Sequence, residues 1–243
     1  MPRIYLPVKN REEHTITITG EKAHYLITVL RCRKGDEIII FDGSGHCYKT
    51  RIEGIERKVV LAEVTEQFPC GNEPSVRITL VVGLLKGEKM DMVIQKATEL
   101  GVYEIIPVVN ERSQIRETRK ISRWKKIAEE ASRQSGRSIV PEVREAVQFI
   151  DLLKGRGARV QGQGFLFYEG KGAKFSEAVA SLPRRPSCLF IMVGPEGGFT
   201  QEEITLAQAQ GAILTTLGKR ILRAETASLA ALSIVQFQFG GMD

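Results

Sequence analysis

The chain has 243 residues, 42% of them hydrophobic, and its 35 Lys and Arg outnumber its 29 Asp and Glu to leave a net charge of +6. That length supports a buried core in one large or two modest domains. No apolar run approaches the roughly 20 residues that cross a bilayer, and the opening MPRIYLPVKN lacks the apolar centre of a signal peptide, so a soluble, cytoplasmic protein is expected.

Residues 1 to about 70 alternate in short steps. HTITIT, DEIIIFDGSGHCYKTRI and KVVLAEV read as strands of a small barrel, with Asp42-Gly43 as turn chemistry. One helix interrupts them, since GEKAHYLITVLR sets Ala23, Leu26, Ile27 and Leu30 at helical spacing. Gln67 to Ser75 (QFPCGNEPS) holds two prolines and a glycine and reads as a linker. Domains over 1–70 and 74–243 follow. The four cysteines (Cys32, Cys47, Cys70, Cys188) form no CxxC pair, and His14, His24 and His46 complete no zinc spacing with them; neither a disulfide nor a metal is expected.

Beyond the linker the period changes. VRITLVVGLL reads as a buried strand, Met90 to Leu100 as a helix ending at Gly101, and YEIIPVV as a second strand. SRWKKIAEEASRQSGR continues as a helix to Gly136, GFLFYEG, SCLFIMV and GAILTTL as three more buried strands, and Ala224 to Phe239 as an apolar closing helix. Strands alternating with helices predict an α/β domain with a mainly parallel sheet covered on both faces. From Asn110 to Arg144, ten Lys and Arg stand against five acids, a local excess of +5. Charge so concentrated is the footprint expected for a phosphate backbone, or else a solvated helix face laced with i,i+4 pairs.

Two stretches carry the chemistry. In MVGPEGGFT, glycines follow the apolar run Cys188 to Val193, and Thr200 with Glu203 has the spacing of a capping box, so the unit is strand, glycine loop, helix. Such a loop either makes a tight turn or admits a ligand at the carboxyl end of a strand. In TTLGKRILRAETASLAAL, Ile221 and Leu222 sit in a loop where solvent disfavours them, and need cover from the core or from an apolar ligand. GxxxxGK[ST], GxGxxG and GxSxG are all absent, which disfavours ordinary kinases, dinucleotide enzymes and elbow hydrolases.

GPEGGFTxxE followed by LGKRILRAETA closely resembles the RsmE family, the small-subunit (16S) rRNA uridine-N3 methyltransferases of the SPOUT superfamily. RCRKGDEIIIFDGSG, KATELGV, ERSQ and SRQSGR also stand where the family has them, so the likeness spans almost the whole chain. The resemblance implies a PUA-like N-terminal β-barrel and a C-terminal α/β trefoil-knot (SPOUT) domain working as a homodimer. It implies S-adenosylmethionine as cofactor and 16S rRNA of the small ribosomal subunit as substrate. Three loops would hold the cofactor, Leu166 to Glu169, Gly194 to Gly198 and Leu217 to Leu222, with Leu166, Tyr168, Gly194, Glu196, Gly197, Gly198, Leu217, Gly218, Ile221, Leu222 and Ala227 as the contacts. The glycines would let it approach the main chain, and Ile221 and Leu222 would pack on adenine.

Methylation at N3 needs the uracil oriented and its proton removed, and a nearby cation stabilises the uracilate. Arg223 is the first candidate for that cation and Arg112 the second, reaching across the dimer. Glu196, Glu225 and Glu169 are candidate proton acceptors, though Glu196 also suits a brace of the glycine loop, and an acid in a helix's first turn, as Glu225 is, more readily serves the helix dipole. Arg133, Gln134 and Arg137, with Arg3, Arg31 and Arg33 of the barrel and Arg112, are expected on RNA. An RNA-holding module without chemistry, and the same chemistry on another RNA, are the alternatives these residues leave open.

Overall fold

The computed structural model describes residues 1–7, 14–156, 160–240 and 242. The chain divides into two compact units, Met1–Glu73 with Ser132–Val140, and Pro74–Ala131 with Pro141–Asp243.

The first unit contains β1 (Arg3–Tyr5), β2 (Thr15–Ile18), α1 (Gly20–His24) running into a π-helical turn at Tyr25–Val29, β3 (Glu37–Phe41), β4 (His46–Glu56) and β5 (Val59–Pro69). The strands form one sheet in the order β1-β3-β4-β5-β2, antiparallel except for β1 beside β3. Alternation dictates the inner face: Ile16, Ile18, Ile38, Ile40, Ile52 and Val60 are buried, and the predicted helical stripe of Ala23, Leu26, Ile27 and Leu30 packs on them. Two expectations change here. Residues 67–69, read as linker, continue β5, because Pro69 occupies its last position opposite His46, where a missing N–H costs least. Cys47 and Cys70, expected to be free, are joined in a disulfide with Cα atoms 5.7 Å apart. The register that sets Cys47 against Phe68 brings Cys70 beside it, and residue spacing alone does not reveal that register.

The return of Ser132–Val140 to this unit also departs from a contiguous reading. Its anchor is the Glu73 carboxylate, which accepts from the Arg137 guanidinium at 2.7 Å and from the amides of Ser138 and Ile139 at 2.8 and 3.0 Å.

The second unit contains β6 (Arg77–Gly83), α2 (Lys89–Glu99), β7 (Glu104–Val109), α3 (Ile121–Ser135, whose last four residues belong to the first unit), β8 (Glu142–Val143), β9 (Val147–Gln148), α4 (Phe149–Leu153), β10 (Gln163–Phe167), β11 (Ala173–Lys174), α5 (Phe175–Ala180), β12 (Cys188–Val193), α6 (Gln201–Ala209), β13 (Ile213–Thr216) and α7 (Ala224–Phe239). The sheet order is β11-β13-β10-β12-β6-β7-β8, with β9 also pairing β7, and every pairing is parallel. All of β7, and all of β6 and β12 past their first residues, are buried, as suits strands covered on both faces. The short elements β8, β9, β11, α4 and α5 escape sequence reading, since two to six residues cannot display a period.

The capping box at α6 forms as its spacing predicts: Thr200 Oγ1 accepts from the Glu203 amide at 3.2 Å, and Glu203 Oε2 accepts from the Thr200 amide at 2.9 Å. Thr200→Ala is expected to cost about 1 kcal/mol, read as a lower urea midpoint with an unchanged m-value.

Candidate active site at the carboxyl edge of the sheet

Four adjacent strands, β13, β10, β12 and β6, end level. Phe167 pairs with Val193 and Thr215, and Val193 pairs with Val82. The loops that leave these strands therefore meet, and they enclose a cavity of about 380 Å³. Sites that bury a small ligand run from about 300 to 1,000 Å³. Phe167, Val193, Leu217, Leu222 and Ala227 give it apolar walls, and Lys89, Glu169, Glu196, Arg220 and Arg223 give it charge.

The three loops named by their sequence are thus brought together, and Tyr168, Gly194, Glu196, Gly198, Leu217, Gly218, Ile221, Leu222, Arg223 and Ala227 all line the cavity. Leu166 and Gly197 do not. Leu166 is fully buried, and its carbonyl accepts from Thr215 Oγ1. The glycines stand where they do for different reasons. A Cβ on Gly197 would stand 2.7 Å from the Arg112 carbonyl oxygen, and one on Gly83, at the end of β6, 2.4 Å from the Pro195 nitrogen. At Gly197 and Gly83 the hydrogen faces the protein's own backbone and packing excludes a side chain, whereas Gly194 and Gly198 line the cavity. Gly218 differs: its φ is +103° and nothing stands within 4 Å of its Cβ direction.

Arg112 does not line the cavity. Its Nη1 donates to the carbonyls of Gly197 and Phe199 at 3.4 and 3.3 Å, so within one chain it braces the glycine loop. Behind it, Glu203 Oε1 accepts from Asn110 Nδ2 and the Glu111 amide at 3.1 and 3.0 Å, which fixes the ERSQ stretch to the start of α6. Arg223 is placed otherwise. It is the exposed N-cap residue of α7, gives no side-chain cap, and lines the cavity with a side chain that makes no ion pair or hydrogen bond among the described residues. Ile221, which also lines the cavity, is 82% exposed, a large apolar side chain left open to solvent.

Lys89 is the residue sequence reading misses. It follows β6, and only the strand order puts that β–α junction beside the glycine loop. Its Nζ donates to Glu196 Oε1 at 3.0 Å, which also accepts from the Lys86 amide at 3.3 Å. Burial opposes charge on Glu196, but the Lys89 ammonium and the backbone amides outweigh it and hold its carboxyl below the ordinary 4.5. A carboxylate so held braces the loop and is a weak base. The sign follows: its contribution to stability is complete above the ordinary value and is lost as pH falls through the lower folded value. The stability difference between wild type and Glu196→Gln in urea should be constant from pH 7 to 5 and shrink on further acidification.

The basic segment is less available to RNA than its composition suggests. Arg112 and Arg116 donate to backbone carbonyls, Lys120 to the Gly87 carbonyl, and Arg123, Arg137 and Arg144 pair with Asp91, Glu73 and Glu104. Arg137, 3% exposed, is therefore structural, and so is Arg3, whose Nη2 donates to the Arg137 carbonyl at 3.0 Å while its guanidinium lies over Phe41. Both differ from the expected phosphate contacts, because each has an internal acceptor that the sequence does not reveal. Arg31, Arg33 and Gln134 are exposed, and Arg133 stacks on Tyr25 at 5.0 Å. Among the described residues no three His, Cys, Asp or Glu side chains are grouped as metal ligands, and no helix is long and apolar enough to cross a membrane.

The second unit is an all-parallel α/β domain whose cavity lies where the strands end, and the family matches identify it as an RNA methyltransferase domain accompanied by a PUA domain. Residues 72–236 match the family described as an RNA methyltransferase domain, and residues 18–65 the one described as an RNA methyltransferase PUA domain. The chain is 37% identical to ribosomal RNA small subunit methyltransferase E of Bacillus subtilis, over 93% of this chain and 91% of that one. It is 34% identical to the Synechocystis protein of that name, over 91% and 72%. The crystal structure of the Neisseria gonorrhoeae enzyme of that name, bound to S-adenosyl methionine, superposes over the whole of both chains with a TM-score of 0.88 at 33% identity. The chain belongs to the ribosomal RNA small subunit methyltransferase E family, as its motifs imply.

Proposed function

We propose that this protein transfers a methyl group from S-adenosylmethionine to N3 of a uridine in the 16S rRNA of the small ribosomal subunit. The observation that carries this reading is the convergence of the three motif loops on one cavity of ligand size. The residues present fit the cofactor. Leu217, Ile221 and Leu222 offer apolar cover for an adenine ring, and the main chain at Gly194 and Leu217 lines the cavity where a nucleoside's polar edges need amides and carbonyls. Bound there, the cofactor supplies an electrophilic methyl group on a sulfonium.

The chain's own residues supply the rest. Arg223 at the cavity edge orients the uracil and stabilises negative charge on its carbonyl oxygens once the N3 proton has left. The N–C bond then forms as the S–C bond breaks, and the electron pair returns to sulfur. Of the three candidate proton acceptors, Glu196 is engaged by Lys89 and Glu225 is 7% exposed in the first turn of α7, whereas Glu169 lines the cavity and makes no ion pair among the described residues. N3 lies on the Watson–Crick edge, so the target base must be unpaired or flipped out.

Arg31, Arg33, Arg133 and Gln134 grip phosphates in this reading, and the protein acts as a cytoplasmic homodimer, for which Phe237, 72% exposed on α7, is one apolar contact. Sedimentation would read the dimer. Arg31→Ala and Arg33→Ala should each weaken RNA binding and reduce the slope of log affinity against log salt by about 1. The deciding experiment incubates the protein with labelled S-adenosylmethionine and small subunits from a strain lacking the modification, then identifies the labelled nucleoside by mass spectrometry. Label in N3-methyluridine supports the reading. Cofactor binding without transfer to subunits overturns the assigned substrate.

A further inference from the structure

We infer that Lys89 is the anion-binding cation of the cavity, with its ammonium donating to an anionic oxygen of the bound reactants and Glu196 and Glu225 holding it in position. The inference rests on the methyl-transfer reading above. An ammonium carries three donors, and a single hydrogen bond, to Glu196 Oε1 at 3.0 Å, engages that of Lys89. Glu225 Oε2 lies 3.9 Å away, close enough to favour the charged form but too far to accept a hydrogen bond. That oxygen is buried and accepts no hydrogen bond, and among the described residues its ion pair is with Lys89. Two N–H donors of a lysine that lines the cavity are therefore uncommitted. Lys89 is also the first residue of α2, whose N-cap residue Glu88 provides no side-chain acceptor.

Two carboxylates flank one cation here, and the two ammonium donors they leave free are what a further anionic oxygen would meet. Glu169, Arg220 and Arg223 also line the cavity, but they leave other loops and are not bonded to Lys89. The reactants contain two oxygens of suitable chemistry, the carboxylate of the cofactor's methionine end and a carbonyl of the deprotonated uracil. The same substitution distinguishes them.

Lys89→Met removes the charge and keeps the length of the side chain, and Lys89→Arg restores the charge. Calorimetry should be run with S-adenosylmethionine and with its decarboxylated analogue, and turnover measured on small subunits at saturating cofactor. If the partner is the cofactor carboxylate, Lys89→Met binds S-adenosylmethionine about 10- to 100-fold more weakly, and only the wild type prefers the carboxylated form. If the partner is the uracil, affinity is retained, turnover falls by a similar factor, and the rate goes on rising to a higher pH than in the wild type before it levels off; Lys89→Arg recovers part of it. Affinity and turnover both within threefold of wild type overturn the inference, even if Lys89→Met lowers the unfolding midpoint. The analogue comparison on wild-type protein reads the carboxylate arm without any variant having to fold, and a wild type that binds no cofactor overturns the methyl-transfer reading instead.

Discussion

Arg223→Ala is expected to lower turnover by about 10²- to 10³-fold while leaving cofactor affinity within a few-fold of wild type, the scale seen when one preorganised donor to a developing oxyanion is removed. The placement of the side chain makes this a clean test. The Arg223 side chain gives α7 no cap and makes no ion pair or hydrogen bond among the described residues, so truncation should not disturb the fold. Its backbone positions the first turn of α7, and alanine keeps that backbone. Single-turnover kinetics with saturating cofactor and calorimetry on the free enzyme separate the two quantities. A loss of affinity with turnover unchanged at saturation would assign Arg223 to holding the cofactor and leave the uracil without its cation. Arg112→Ala should behave differently. Its guanidinium holds the carbonyls of Gly197 and Phe199, so its loss loosens the glycine loop and affects affinity as well as rate.

The elements that sequence reading recovers are those whose signal is local. The apolar runs of β6, β7 and β12, the Thr200–Glu203 box and the closing helix α7 stand where their patterns place them. The cavity-lining loops are legible because their oddities, glycines after a buried strand and apolar residues in a loop, are also local. What escapes depends on partners distant in the chain. Lys89 reaches the cavity because β6 lies beside β12, an adjacency no window of sequence contains. Arg3 and Arg137 look like RNA contacts until Phe41, the Arg137 carbonyl and Glu73 are seen to engage them. The disulfide likewise depends on the register of β4 against β5. Charge counted along a chain therefore overestimates what a surface offers, since long-range acceptors take up much of it.

The other large effect is expected at a residue that touches no ligand. Gly83→Ala places a Cβ 2.4 Å from the Pro195 nitrogen and 2.9 Å from the Gly194 carbonyl carbon, and neither backbone atom can rotate away. The end of β6 and the glycine loop must separate by about 1 Å, a displacement that can cost roughly 100-fold where geometry matters. Overpacking of this kind also destabilises by about 1–3 kcal/mol. We expect the variant to fold with a lower urea midpoint and to bind S-adenosylmethionine at least about tenfold more weakly. Gly54→Ala is the control: it lies in β4, with nothing within 4 Å of its Cβ direction, and should leave both quantities near wild type. Wild-type affinity in Gly83→Ala would mean that the glycine loop tolerates displacement and that its backbone contributes little to holding the cofactor. The expected loss, with Arg223→Ala retaining affinity, would separate the two roles within one cavity: the loop backbone, set by its packing on β6, binds the cofactor, and the arginine at the N-terminus of α7 acts on the base.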